Sequence, residues 1–250
     1  MRQILLKLKY IGTAYHGWQV QENAVSVQQT LQDAVEAIFG ERLDVTGCSR
    51  TDAGVHANMY CCTIRTDSDI DCFRLMGALN AKLPDDISVF ACEDVPEDFH
   101  PRYSATAKQY IYRINNAKAP DPFLEGRALH YKTPIDEVKL NKAAQAFVGT
   151  HDFTGFCGAK SDIEDCTRTV YEASVTRDGD VVTFSVTGDG FLYNMVRIMV
   201  GTLLFVNEGK IDADDIPRII ENKDRKAAGK TAPACGLYLN KVFYGGETIG

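Results

Sequence analysis

The sequence predicts an α+β protein built from two related halves. Strand-like and helix-like segments alternate along the whole chain, and each half interleaves strands with two helices. The strongest turn signal, Asp178-Gly179, sits between two runs of period-two alternation, so Val170–Thr187 reads as a hairpin and supplies antiparallel pairing. A division near residue 104 gives halves of 1–104 and 105–250.

Gln3–Ile11 alternates around Lys7 and Lys9 and reads as a strand with one wet face. After the polar and aromatic loop GTAYHGWQVQENA, Ser26 is an N-cap and Gln29 completes a capping box. Val27, Leu31, Ala34, Val35 and Ile38 follow at helical spacing, and Gly40 stops that helix. Met59–Thr66 is a strand, Ile70–Leu83 a helix ended by Pro84, and Ile87–Glu93 a strand. Tyr103–Asn115 is long, aromatic and β-prone. In the second half Ile135–Val148 reads as a helix, followed by the hairpin, an apolar helix over Phe191–Val206, a short helix near Asp214–Glu221 and a last strand at Leu237–Tyr244.

Composition narrows the function classes. Of 250 residues, 45% are hydrophobic and 24% charged, which supports a packed core and argues against disorder. Lys7 and Lys9 interrupt the apolar N-terminal run, so it does not read as a signal peptide. Phe191–Val206 is short for a membrane span and carries Arg197 at its middle. A soluble, cytoplasmic protein is expected. Eight cysteines occur without a CxxC pair, so zinc spacing is absent and reduced, mostly buried thiols are expected. Adjacent Cys61 and Cys62 should point to opposite faces of their strand.

The net charge of −7 runs against a nucleic-acid partner, but local potential decides binding in a cleft. The charges are segregated: acids gather at 67–71 and 93–98, and cations at Lys223–Lys230.

Three segments carry residues suited to chemistry. Gly47–His56 places Arg50, Asp52 and His56 together between glycines, as catalytic loops do, although an Asx turn at Asp52 would fit the same composition. Arg197 lies among apolar and neutral neighbours, so it needs a carboxylate partner or a cleft for its tip; Asp178, Asp180, Asp189, Glu208 and Asp212 are nearby acids, and a snorkelling side chain is the alternative. In Lys108–Arg113, alternation puts Lys108, Tyr110 and Tyr112 on one face, a pattern that suits base stacking and equally a half-buried sheet. His151, Asp152 and Cys157 invite a Cys–His nucleophile, but nothing there activates a thiol.

These segments together resemble the TruA family of transfer-RNA pseudouridine synthases from end to end. The matching blocks are YHGWQVQ with SVQQTL (Tyr15–Leu31), CSRTDAGVHA (Cys48–Ala57), FHPRYSATAKQYIY (Phe99–Tyr112), GTHDFTGF (Gly149–Phe156), TRTV (Thr167–Val170), GFLYNMVRIMVGTL (Gly190–Leu203) and TAPACGLYLNKVFY (Thr231–Tyr244). The resemblance implies two ferredoxin-like halves with joined antiparallel sheets, a central RNA-binding cleft and a homodimer. It implies an isomerase acting on uridines 38, 39 and 40 in the anticodon stem-loop of tRNA.

By the same resemblance Asp52 is the essential aspartate and Arg50 helps displace the target base. Tyr110 stacks on the uracil, Arg197 pairs with Asp52, and Leu237 lines the apolar wall around the base. Two positions depart from the common family pattern: Ser49 stands where glycine is frequent and Tyr60 where glutamine is frequent. The implied reaction oxidises nothing, so no cofactor and no metal are expected. RNA contacts are expected from Arg50, Arg102, Lys108 and the Lys223–Lys230 segment.

Overall fold

The computed structural model describes residues 1–158 and 164–246. The chain falls into two compact units, one of Met1–Thr106 together with the C-terminal stretch from Tyr238, the other of Ala107–Leu237.

The first unit runs β1 (Arg2–Tyr10), α1 (Val27–Phe39), β2 (Thr46–Gly47), β3 (His56–Thr66), α2 (Cys72–Asn80) and β4 (Ile87–Val95). β3 and β4 flank β1 antiparallel, and β2 lies antiparallel on β3. A β-α-β-β-α-β succession in the order β4-β1-β3-β2 is ferredoxin-like. Ile4, Leu6 and Leu8 of β1 are fully buried, and Leu5 is buried as well, so the wet face shrinks to Lys7 and Lys9. Lys7 bonds Glu93 of the neighbouring β4 at 2.9 Å.

Ser26 caps α1 by accepting a hydrogen bond from the Gln29 amide, and Gly40 ends it at φ 73°. α2 is shorter than the expected Ile70–Leu83. Asp71 caps its start, and at its end the Asn80 amide bonds Val89 of β4 in both directions, at 2.7 and 2.8 Å.

The second unit contains β5 (Ala105–Asn115), β6 (Leu129–His130), α3 (Glu137–Ala144), β7 (Gly149–Asp152), β8 (Thr167–Asp178), β9 (Val181–Gly188), α4 (Met195–Asn207) and α5 (Ile216–Asn222). Its strands follow the order β5-β9-β8-β7, antiparallel throughout, with β6 parallel on β5. β5-α3-β8-β9-α4 thus repeats the succession of the first unit, with β5-β9-β8 standing for β1-β3-β2. The chain is an α+β protein.

Beyond the shortened α2, three boundary shifts matter for how the two units are built. Asp178 still pairs with Val181, so the turn is Gly179-Asp180, with Gly179 taking the positive φ of 55° that a two-residue hairpin demands. The apolar run from Phe191 becomes helical only at Met195, because Asn194 adopts a left-handed φ of 63°. The last strand, β10 (Leu237–Tyr244), does not stay with 105–250: from Tyr238 it belongs to the first unit, parallel to β3 through Tyr238 opposite His56 and Leu239 opposite Ala57. Parallel pairing between segments so far apart leaves no local turn signal.

All eight cysteines are free thiols, and Cys61 and Cys62 are both buried. Burial holds the Cys62 thiol well above its ordinary range, which keeps it protonated and unreactive. Among the described residues no helix is long and apolar enough to cross a membrane. No group of three or more His, Cys, Asp or Glu among them is arranged to hold a metal ion.

Candidate active site

Asp52 lies half-buried on the 48–55 loop that joins β2 to β3. The loop is bound from beneath and from one side. Beneath it, the Cys48 amide donates to the Cys61 carbonyl of β3 at 2.9 Å. The Tyr60 hydroxyl, also on β3, donates to the Ser49 carbonyl and accepts from the Ser49 amide at 3.4 Å.

At the side runs the 12–18 segment. The Trp18 amide donates to the Thr51 carbonyl at 3.2 Å, and the Gly54 amide donates to the Tyr15 carbonyl at 3.1 Å. The Gly12 amide donates to His56 Nδ1 at 3.0 Å, and Tyr10 shares a hydrogen bond of 3.0 Å with the Thr51 hydroxyl. Within the loop, the Val55 amide donates to the Asp52 carbonyl at 3.1 Å, closing a turn around Ala53-Gly54.

Glycine is required where the 12–18 segment, a strap across the site, meets the loop. A Cβ on Gly12 would lie 1.9 Å from the Val55 carbonyl oxygen, and one on Gly17 would lie 2.2 Å from that of Thr51. Gly17 also holds φ at 84°. The YHGWQ and RTDAGVH blocks are therefore one object, two chain segments pressed backbone to backbone. Tyr15 fastens the strap further by donating its hydroxyl to Asp86 at 2.6 Å. His56 is fully buried with its ring 4.6 Å from that of Tyr238. Arg50, by contrast, is exposed on the loop surface.

The other predicted site residues lie in the second unit. Tyr110 of β5 is 7% exposed, and Phe191 packs edge-on against it at 5.1 Å. Arg197, in the first turn of α4, is half-buried. Its Nε donates to the Ala232 carbonyl at 2.7 Å and its Nη1 to Asn194 Oδ1 at 2.8 Å. The Ala232 amide returns a bond to the Arg197 carbonyl at 3.0 Å. The guanidinium is thus aimed by the chain, which a solvent-seeking arginine would not need. Leu237 is buried at the start of β10, directly after Gly236 has packed against the Tyr112 ring. Tyr112 itself donates to the Pro233 carbonyl at 2.8 Å.

Of the cations expected to meet RNA, Lys108 on β5 is half-buried, and the others divide into two groups. Lys223 bonds Asp152 at 2.7 Å, and Arg225 donates to the Gly229 carbonyl at 2.8 Å and to the Thr231 hydroxyl at 3.1 Å. Lys223 thus ties the segment to β7, and Arg225 holds the segment to itself. The segment end is in turn pressed on α4, since a Cβ on Gly201 would lie 1.6 Å from the Lys230 carbonyl oxygen. Arg50, Arg102, Lys226 and Lys230 are exposed, and Arg102 sits 5.6 Å from the ring centre of the exposed Tyr103. In GTHDFTGF the carboxylate of Asp152 accepts from the Thr154 amide and hydroxyl as well as Lys223, a structural turn rather than a partner for a Cys157 nucleophile.

Sequence reasoning missed Tyr60, Asn194, Ala232 and the strap glycines as parts of the arrangement. Gly12, Gly17 and the chain's one tryptophan, crowded into a short polar loop, were the available signal.

A family model described as tRNA pseudouridine synthase matches residues 8–104 and 143–245. Asp52, Arg50, Arg197 and Leu237 fall inside the matched residues and Tyr110 outside them. The chain is 47% identical over 244 residues to tRNA pseudouridine synthase A of Acetivibrio thermocellus, covering 98% of this chain and 100% of the relative. It is 44% identical to that of Thermoanaerobacter sp. strain X514, with the same coverage. It is 41% identical to that of Staphylococcus aureus strain MRSA252, covering 96% of this chain and 91% of the relative. Among solved structures, a Cbf5-Nop10-Gar1 complex aligns with 94% of this chain and 57% of that chain at a TM-score of 0.36 and 10% identity, too distant to bear on the argument.

Proposed function

The chain belongs to the tRNA pseudouridine synthase family and isomerises uridine to pseudouridine in tRNA, and from that premise we propose that Asp52 is the carboxylate that carries the reaction, at positions 38, 39 and 40 of the anticodon stem-loop. The observation that carries this reading is the strapped loop. An acid is held half-buried on a stretch whose backbone is bonded to β3 on one side and to the 12–18 segment on another. Such rigidity has no use in a solvated surface turn, whereas catalysis needs a group fixed within a fraction of an ångström.

The reaction breaks the bond from uracil N1 to the sugar and makes one from C5 to the same carbon. The C5 proton is lost and N1 gains one, so no electrons leave the molecule and no metal or redox cofactor is called for. Asp52 acts either by adding to the sugar or by removing a sugar proton. Arg197 opposes its charge in the reacting complex, keeping the carboxylate ionised and oriented. The bonds to Ala232 and Asn194 already hold that guanidinium in one pose.

The target base must leave its stack to be reached. Arg50, exposed beside Asp52, stabilises the flipped state, and Tyr110 stacks on the uracil, a contact worth about 1–3 kcal/mol. Leu237 forms part of the apolar wall around the base. Exposed Arg102, Lys226 and Lys230 hold phosphates, which suits recognition of folded RNA by shape. We place the enzyme in the cytoplasm as a homodimer, as the resemblance implies.

Incubation of unmodified tRNA with the enzyme, followed by mapping of pseudouridine, tests the assignment. New pseudouridine is expected at 38–40, and its appearance only elsewhere rejects the anticodon arm. Asp52→Asn is expected to abolish isomerisation while largely preserving tRNA binding. Turnover in that variant removes Asp52 from the reaction.

A further inference from the structure

We infer that Tyr60 is a positioning residue for the reaction, its hydroxyl fixing Ser49 and thereby the course of the chain through Arg50 to Asp52. The inference rests on Asp52 carrying the reaction. Tyr60 lies on β3 opposite Leu8 of β1 and is fully buried. Its ring stacks on that of Trp18 at 3.9 Å and 25°, and the Tyr10 ring lies 5.8 Å away. Phenylalanine would fill this volume without introducing a polar group into the core.

The hydroxyl goes to the catalytic loop. It donates to the Ser49 carbonyl and accepts from the Ser49 amide at 3.4 Å, the donated bond being the shorter. Burial holds the phenol well above its ordinary titration range, so the donated proton stays in place. Space around the oxygen is closed: a Cβ on Gly47 would meet it at 2.2 Å and Trp18 Nε1 at 2.6 Å. The buried hydroxyl thus grips the backbone amide and carbonyl of a residue three positions before Asp52. Trp18 links the grip to the strap, because its ring stacks on Tyr60 while its amide donates to Thr51. Sheet, strap and loop meet at this one phenol.

Tyr60→Phe tests it, because it removes the oxygen and leaves the ring on Trp18. The single-turnover rate of pseudouridine formation is measured with saturating enzyme, together with the Kd for tRNA and the melting temperature. A misplaced reacting group lowers rate without lowering affinity, so the rate is expected to fall up to about 10²-fold while Kd stays within about threefold. Leu79→Ala, which opens a cavity in α2 far along the chain from the loop, is the stability control. It is expected to lose melting temperature and keep the parental rate at low temperature. A folded Tyr60→Phe with the parental rate overturns the inference, as does a rate loss matched by Kd or a loss of equal size in Leu79→Ala. Asp52→Asn run alongside separates the two levels: if it is dead while Tyr60→Phe is unaffected, only the positioning role falls, and if it is active, both fall.

Discussion

The two units share a succession of elements but treat one connection in opposite ways. In the second unit β8 passes to β9 through Gly179-Asp180, a turn with nothing within 4 Å of where a Gly179 side chain would begin. In the first unit the equivalent step from β2 to β3 takes the whole 48–55 stretch, and a glycine facing it has backbone 1.9 Å from where its own Cβ would sit. One link is the minimum that closes a hairpin. The other is longer than closure requires and is held down by a second chain segment, and the acid sits on it. On the proposed reading, the short hairpin only closes the sheet, while its longer counterpart presents Asp52.

That contrast can be broken by the same substitution made on both sides. Gly12→Ala drives a methyl group into the Val55 carbonyl, and the strap or the loop must move. The expected cost is about 3 kcal/mol in urea unfolding, with isomerisation lost. A stable, active Gly12→Ala would show that the strap does not hold the loop. Arg197→Met comes next. It leaves the Ala232 carbonyl and Asn194 without their donor, and about 2 kcal/mol of stability should go along with activity. An equally stable, fully active variant would mean the guanidinium is not part of a built site.

Gly179→Ala meets no atoms and suffers only from its positive φ. It should cost about 1 kcal/mol and leave the rate of pseudouridine formation unchanged. A rate loss there would erase the functional difference between the two hairpins.

The smallest effect is acidic. The Lys223 ammonium, helped by Thr154, holds the Asp152 carboxyl down to about 2. A depressed carboxyl contributes stability that is complete above the ordinary range near about 4 and is lost as pH falls toward the folded value. Lys223→Met should therefore flatten the fall in melting temperature between about pH 4 and about pH 2 relative to the parent enzyme. An unchanged profile would show that the pair does not anchor the basic segment.

Much of this was legible beforehand because its causes are local. Ser26 and Gly40 bound α1 through a side-chain cap and a positive φ, both written in the residues themselves. The hairpin was readable from alternation and a glycine, and only its centre lay one residue further on. The Arg50–Asp52 loop stood out by composition and by resemblance. The start of α4 was misjudged because hydropathy cannot register that Asn194 turns left-handed to receive Arg197. The return of β10 to the first unit was hidden because its partner, β3, lies most of the chain away.

The sequence by itself determined most of the long elements, the caps of α1, the α+β class and the family, since each depends on neighbours within a few positions or on motifs read in order. The tertiary structure alone decided how the 12–18 segment straps the 48–55 loop, which residue the Tyr60 hydroxyl holds and where Arg197 spends its donors. Those are contacts between backbones and side chains far apart in the chain, set by packing and by the need of every buried polar group for a partner, and no local pattern of residues encodes them.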